Sequence, residues 1–199
     1  MTNKARNQDD QTRDPAIPHQ LLIHTGKLYP PSHCQTLLQT LIDTIHWQYD
    51  YIAFGRRFDV PRLQAWYADP GVHYRYSNNL LKHQPWIELL QRIRQDIEQA
   101  SDHSFNSVLI TYYRNGQDHV TLHADDEPEL GEAPVIASLS LGATRRFEYR
   151  PKSGGEQQGV YLHDGDLLIM QPEFQWEWLH HVPVEPTVTE PRINLTFRR

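Results

Sequence analysis

His123-Ala124-Asp125, a later His180-His181-Val182-Pro183 and the segment Arg192-Ile193-Asn194-Leu195-Thr196-Phe197-Arg198 carry the residue types that could do chemistry together. Residues i and i+2 of a strand point the same way, so His123 and Asp125 can reach one ion from one edge. A histidine from the later segment would complete a set of two imidazoles and one carboxylate. That set suits a divalent iron that keeps coordination positions open. Zinc is the rival ion, since three protein ligands plus water also describe catalytic zinc, and Mn²⁺, Co²⁺ or Ni²⁺ could fill the same site. His180 and His181 compete for the third position; adjacent strand residues face opposite sides, so at most one reaches the ion, and periodicity does not choose between them. The last segment alternates strictly, which puts Arg192, Asn194, Thr196 and Arg198 on one face and Ile193, Leu195 and Phe197 on the other. Two guanidinium groups on one polar face are a grip for a small dicarboxylate. Metal and grip together imply an oxygenase that consumes a keto-acid, and the arginine pair favours iron over zinc.

The chain that must position these groups has 199 residues, a length expected to form one domain. No apolar run approaches the ~20 residues of a membrane span, and no charged-then-apolar leader marks the N-terminus for export. The single cysteine, Cys34, excludes an internal disulfide and any CxxC site, which fits a reducing cytoplasm, on the nucleoid or in the nucleus according to cell type. Net charge is −6, so long-range attraction to nucleic acid is not expected of the whole molecule. Charge is nonetheless uneven. Arg56, Arg57, Arg62, Arg75 and Lys82 cluster early, Arg145, Arg146, Arg150 and Lys152 later, and acid gathers at Asp125, Asp126, Glu127, Glu129 and Glu132.

Residues 1–17 lack apolar periodicity and read as a disordered tail, leaving 18–199 as the domain. Pro30-Pro31-Ser32 introduces a helix capped by Ser32, with Leu37, Leu38, Leu41, Ile42 and Ile45 at helical spacing. A second helix is expected from Pro85-Trp86 to about Ser101, with Ile87, Leu90, Ile93 and Ile97 as its buried stripe. From Ser107 the texture changes to short strands: 108–113, an Asn115-Gly116 turn, 119–123, 136–141, 145–150 paired with the preceding strand through a Gly142-Ala143 turn, 161–162, 167–170 after Asp164-Gly165, 176–182 and 192–198. Many short strands with helices only upstream predict a mainly β fold with N-terminal helices, a jelly-roll or barrel.

These segments resemble the AlkB-type Fe(II)/2-oxoglutarate-dependent nucleic-acid dealkylases. The likeness runs from about Phe54 to Arg199 and includes Pro61-Arg62, Trp66-Tyr67, Asp69-Pro70-Gly71, Tyr74-Arg75-Tyr76-Ser77, Phe105-Asn106, His123 to Glu127, Ile136 to Ser140, Gly142-Ala143, His180 to Pro183 and Pro191 to Arg198. It is similar above all to the branch acting on duplex and single-stranded DNA. The resemblance implies a double-stranded β-helix core, with iron held by His123, Asp125 and His180. It also implies 2-oxoglutarate gripped at its two ends by Arg192 and Arg198, beside Asn194, Thr196, Tyr113 and Thr111. Thr111 stands where the family usually has Asn, so it keeps a hydroxyl and loses an amide. A nucleotide-recognition segment over 51–77 would bring Phe54-Gly55-Arg56 as a wedge into the duplex, Arg62, and Tyr76 to stack on the extruded base between Tyr74 and Ser77. Asp126 and Glu127 would lie near that base. The activity implied is oxidative demethylation of 1-methyladenine and 3-methylcytosine in DNA with O2 as co-substrate, releasing formaldehyde, succinate and CO2. The alternative is a demethylase or hydroxylase of the same class acting on RNA, protein or a small metabolite. The expected partner is alkylated DNA, with RNA as the alternative, and the expected state is a monomer without membrane attachment.

Overall fold

The computed structural model describes residues 21–53, 56–72, 75, 76, 79, 80 and 83–199, with the backbone alone at 51–53, 56–58, 75, 76, 79, 80 and 83. The tail expected over 1–17 lies outside the described residues. In chain order the elements are β1 (Leu22–Lys27), α1 (Pro31–Thr44), β2 (Gln48–Ala53), β3 (Arg56–Ala68), β4 (Arg75–Tyr76), β5 (Asn79–Leu80), β6 (His83–Gln84), α2 (Glu88–Ser101), β7 (Ser107–Tyr113), β8 (Val120–His123), β9 (Ile136–Gly142), β10 (Arg145–Pro151), β11 (Gln158–Leu162), β12 (Asp166–Met170), α3 (Pro172–Glu177), β13 (Trp178–Val182) and β14 (Arg192–Arg198). Among the described residues no helix is long and apolar enough to cross a membrane.

The apolar stripes fold as their spacing dictates. In α1, Leu37 and Leu41 are buried, with Ile45 just beyond; in α2, Leu90, Ile93 and Ile97 are. Both helices pack on Ile193, Leu195 and Phe197 of β14, Ala137, Leu139 and Leu141 of β9, and Val108 and Ile110 of β7. The cap of α1 differs from expectation. Pro30 holds the N-cap position, Pro31 opens the helix, and no side chain caps it. Proline has no N–H to satisfy, so the first turn tolerates the arrangement. Asp102 ends α2 in the left-handed region at φ 58°, its N–H donating to the Glu98 carbonyl at 3.0 Å.

Among the described residues the strands form two main sheets in the double-stranded β-helix arrangement, besides the small antiparallel pair β4-β5. The larger runs β1-β12-β9-β14-β7-β3-β2, with the short parallel β6 on β3, and the smaller runs β11-β10-β13-β8. A second core fills the space between them: Ile136, Leu168 and Met170 meet Phe147, Tyr149, Leu162 and Phe174. The large sheet is therefore covered on both faces, and its central strand β14 keeps even its polar residues away from water. β1, β2 and β3 carry no clear alternation in the sequence and were not among the expected strands.

Two turns connect sheets where hairpins were expected. Gly142, at φ +87°, leaves no room for a side chain, since a Cβ would stand 2.5 Å from the Pro191 carbonyl oxygen. The chain crosses there from β9 to β10, which pairs with β11 and β13 and not with β9. Asn115-Gly116 likewise carries the chain from β7 in the large sheet to β8 in the small one. Gly116 donates to the Val188 carbonyl at 2.7 Å and accepts from the Glu185 N–H at 2.8 Å. The helices are also not confined upstream. Pro172 at the first position and buried Phe174 make 172–177 a helical turn, so the strand expected from Trp176 begins at Trp178.

A Cβ on Gly116 would lie 1.8 Å from the Glu185 carbonyl oxygen, which is backbone and cannot swing away. Gly116→Ala is expected to destabilise the protein by at least roughly 1–3 kcal/mol, read as a lower urea midpoint at unchanged slope.

Candidate metal centre

β8 and β13 are neighbours in the small sheet, and their register sets His123 directly opposite His180. The two imidazole centroids are 4.4 Å apart. Asp125 follows two residues after His123, beyond the end of β8. One ligand atom from each of His123, Asp125 and His180 lies within 4.8 Å of the others. His181 stands outside that cluster, its Nε2 3.0 Å from Glu148.

The protonation of the three groups suits a cation. The His123 Nδ1 lies 2.8 Å from the Thr121 carbonyl, so a proton held there leaves the Nε2 lone pair free. Burial pushes His123 below the ordinary imidazole range and pushes His180 down to about 3, so both rings are neutral near neutrality. Burial, the largest single influence, would raise the Asp125 pKa, but the Arg198 guanidinium together with His123 and His180 outweighs it and holds the carboxyl below its usual range. Arg198 donates to Asp125 Oδ1 at 2.5 Å, while Asp125 Oδ2 stands 3.8 Å from His180 Nε2. Phe147 and Phe174 lie against the His180 ring at 5.2 and 5.7 Å between centroids.

The residues expected to grip a dicarboxylate come from the opposite sheet. Register brings Arg192 beside Tyr113 and Asn194 beside Thr111 on β7, and Asn194 beside Ser140 on β9. Arg192 donates through Nη2 to Ser140 Oγ at 2.9 Å and to Asn194 Oδ1 at 2.6 Å. Asn194 donates to Thr196 Oγ1 at 2.9 Å and accepts from Ser138 Oγ at 3.1 Å. Nε and Nη1 of Arg192 are buried with no hydrogen-bond partner among the described residues. A buried cation with unmet donors is costly unless a ligand answers it. Thr111, Tyr113, Ser138, Asn194, Thr196 and Arg198 line one cavity with His123, Asp125 and His180, and Arg62 borders it too. Arg62 is nearly buried, with Nη1 3.3 Å from the His119 carbonyl.

The other expected residues divide. Asp126 is exposed and pairs with Lys152 at 2.6 Å, outside the cavity lining, because the loop after Asp125 turns it to the surface. Glu127 is half-buried at the start of the 3-10 turn Pro128–Leu130. Phe54, Gly55, Tyr74 and Ser77 lie outside the described residues. Arg56 and Tyr76 are described by backbone only, in β3 and β4. Two contributors went unforeseen. Arg145, read as one of a surface basic cluster, is 1% exposed; it donates to Glu185 at 2.8 Å and to the carbonyls of Asn115, Asp118 and Pro183. Its guanidinium and that of Arg192 lie 5.4 and 5.2 Å from the Tyr113 ring centroid. Gln175 in α3, fully buried, accepts the Asp125 N–H. The only sequence signal was Gln171-Pro172, a helix start hidden in an apolar run.

The family model described as the 2OG-Fe(II) oxygenase superfamily matches residues 20–198. Alpha-ketoglutarate-dependent dioxygenase alkB homolog 3 of Mus musculus is 42% identical over 176 residues, covering 81% of this chain and 60% of that protein. DNA oxidative demethylase ALKBH2 of Homo sapiens is 42% identical over 154 residues, covering 73% and 59%. A solved structure of OsALKBH1 shares the fold at a TM-score of 0.60 and 22% identity, covering 90% of this chain and 97% of that one. The chain belongs to the 2OG-Fe(II) oxygenase superfamily, on its AlkB-type branch. It spans about 60% of the length of the curated relatives it matches. The residues fit the groups that the family's description names: a neutral imidazole pair with an ionised carboxylate for iron(II), and unmet Arg192 donors for a carboxylate.

Removing the Arg145 charge leaves Glu185 without its ion-pair partner and three backbone carbonyls without this donor, so Arg145→Met should cost ~3–5 kcal/mol in denaturation experiments. His180 stays neutral in the fold down to about 3, against 6.5 when unfolded. Below the upper value the unfolded chain binds a proton that the folded chain refuses, so stability is full above it and is lost as pH falls toward the lower one. Urea midpoints of metal-free protein should drop between about pH 7.5 and about pH 5.5, and drop less in His180→Asn. An equal drop in the variant would assign the effect to other groups.

Proposed function

We propose that this chain is an Fe(II)/2-oxoglutarate-dependent dioxygenase that demethylates N-alkylated bases, 1-methyladenine and 3-methylcytosine, in DNA. The observation that carries the reading is one cavity in which His123, Asp125 and His180 converge beside a β14 polar face where Nε and Nη1 of Arg192 lack a hydrogen-bond partner among the described residues. When bound with 2-oxoglutarate and O2, iron supplies the oxidation of the N-methyl carbon, with succinate, CO2 and formaldehyde as the products.

In this reading each residue has a limited task. His123, Asp125 and His180 hold the metal. Arg192 takes the far carboxylate of 2-oxoglutarate, its planar fork supported by Ser140 and Asn194. Arg198, already engaged by Asp125, stands at the near end, and Tyr113, Thr111 and Thr196 complete the wall. Phe147 and Phe174 exclude water around His180. Arg62 borders the side from which a base would enter. Phe54-Gly55-Arg56, Tyr74, Tyr76 and Ser77 extrude and stack that base, a step in which an apolar wedge offsets unstacking of a few kcal/mol. Glu127 is the acid suited to its exocyclic amine, and Asp126 with Lys152 forms the rim.

The test is a mass-spectrometric panel of 1-methyladenine, 3-methylcytosine and ethenoadenine in single- and double-stranded DNA and RNA, with Fe(II) and 2-oxoglutarate, with and without O2. Methyl loss from DNA that needs O2 supports the reading; oxygen-independent loss, or activity on RNA alone, overturns the mechanism or the substrate. Arg192→Ala should remove a contact worth ~1.5–3 kcal/mol and raise the 2-oxoglutarate requirement roughly 10- to 100-fold. Phe54→Ala should lower activity on duplexes and spare single strands; equal loss on both would remove the wedge.

A further inference from the structure

Asp125 sits where regular structure gives out. The β8–β13 ladder ends at His123, so the buried N–H of Asp125 has no strand partner. A buried unpaired N–H costs about 1–3 kcal/mol, and something must accept it. Gln175, fully buried on α3 and 50 positions away in sequence, does so at 2.9 Å. Among the described residues its Nε2 meets only the Met170 sulfur, at 3.5 Å, a weak acceptor that leaves the amide free to serve Asp125 with its oxygen.

We propose that Gln175 is a positioning residue for the metal carboxylate: by holding the Asp125 backbone it aims the carboxylate into the triad and so sets the affinity of the site for a divalent metal. Resting on the assignment of Asp125 as a metal ligand, the role follows from two restraints acting together. Gln175 fixes the backbone, Arg198 fixes Oδ1, and Oδ2 is left facing His180 Nε2. The same short helix presses Phe174 against the His180 ring. One turn of chain thus ties together ligands delivered by β13 and by the loop after β8.

The test is calorimetric titration of metal-free protein with Co²⁺, alongside the melting temperature of each metal-free variant. Gln175→Met keeps the shape and removes the acceptor; it should weaken Co²⁺ binding about 10- to 100-fold, the range typical of groups that orient metal ligands. A lower melting temperature with unchanged Co²⁺ affinity would make Gln175 a packing residue and overturn the proposal. Should Gln175→Met not fold, Gln175→Asn keeps an amide in place but withdraws its oxygen from Asp125, and the same weakening is expected; wild-type affinity would again overturn it. His123→Ala and His180→Ala serve as references. If neither weakens Co²⁺ binding, the metal centre itself is refuted and the Gln175 role with it; if both do and the Gln175 variants do not, only the Gln175 role is lost.

Discussion

Arg198 and Asp125 form an ion pair with 3% and 1% of their surfaces exposed, one from the large sheet and one from the loop after the last strand of the small sheet. Each charge alone would cost several kcal/mol to bury, so neither is tolerable there without the other. The pair spans the gap between the sheets and dictates how near the end of β14 must come to the loop after β8. Register does the rest. With β8 and β13 adjacent, His123 and His180 face one another, and the carboxylate joins them already ionised. The charge that holds the sheets together also prepares Asp125 for a cation.

A second buried charge governs the far end of the cavity. Arg145 gathers the chain crossings at 115–118 and 183–185, and its guanidinium and that of Arg192 both lie close to the Tyr113 ring. Two like charges thus share one ring, and Glu185 offsets that of Arg145. Arg192 is thereby presented rigidly, its approach decided by groups that no dicarboxylate would touch. Such preorganisation lowers the ordering cost when a ligand arrives.

Much of this was legible in the residues. Alternation in 192–198 assigned both faces of β14, because a strict period of two admits one solution once one face is apolar. The helical stripes of α1 and α2 were equally plain. The plainer reading of Arg192 and Arg198, a solvated strand face, fails because the small sheet covers that face. What spacing could not give was connection between sheets. Gly142-Ala143 and Asn115-Gly116 look like hairpin turns, and only the close approach of Pro191 or Glu185 to these glycines turns each into a crossing. Gln175 left no trace of its role, since an amide that serves a backbone N–H 50 positions away has no local pattern. Choosing His180 over His181 required the family resemblance; the histidine that clusters with His123 and Asp125 is His180.

β14 lies between β9 and β7 yet comes after both in the chain. Until residues 192–198 have been synthesised, those two strands have no common neighbour, and each keeps an open row of amide and carbonyl groups. The nascent chain must carry these edges, inviting pairing with other chains, until β14 emerges. The insertion that closes the sheet also delivers both arginines, so the cavity is assembled in the event that joins the two halves of the large sheet.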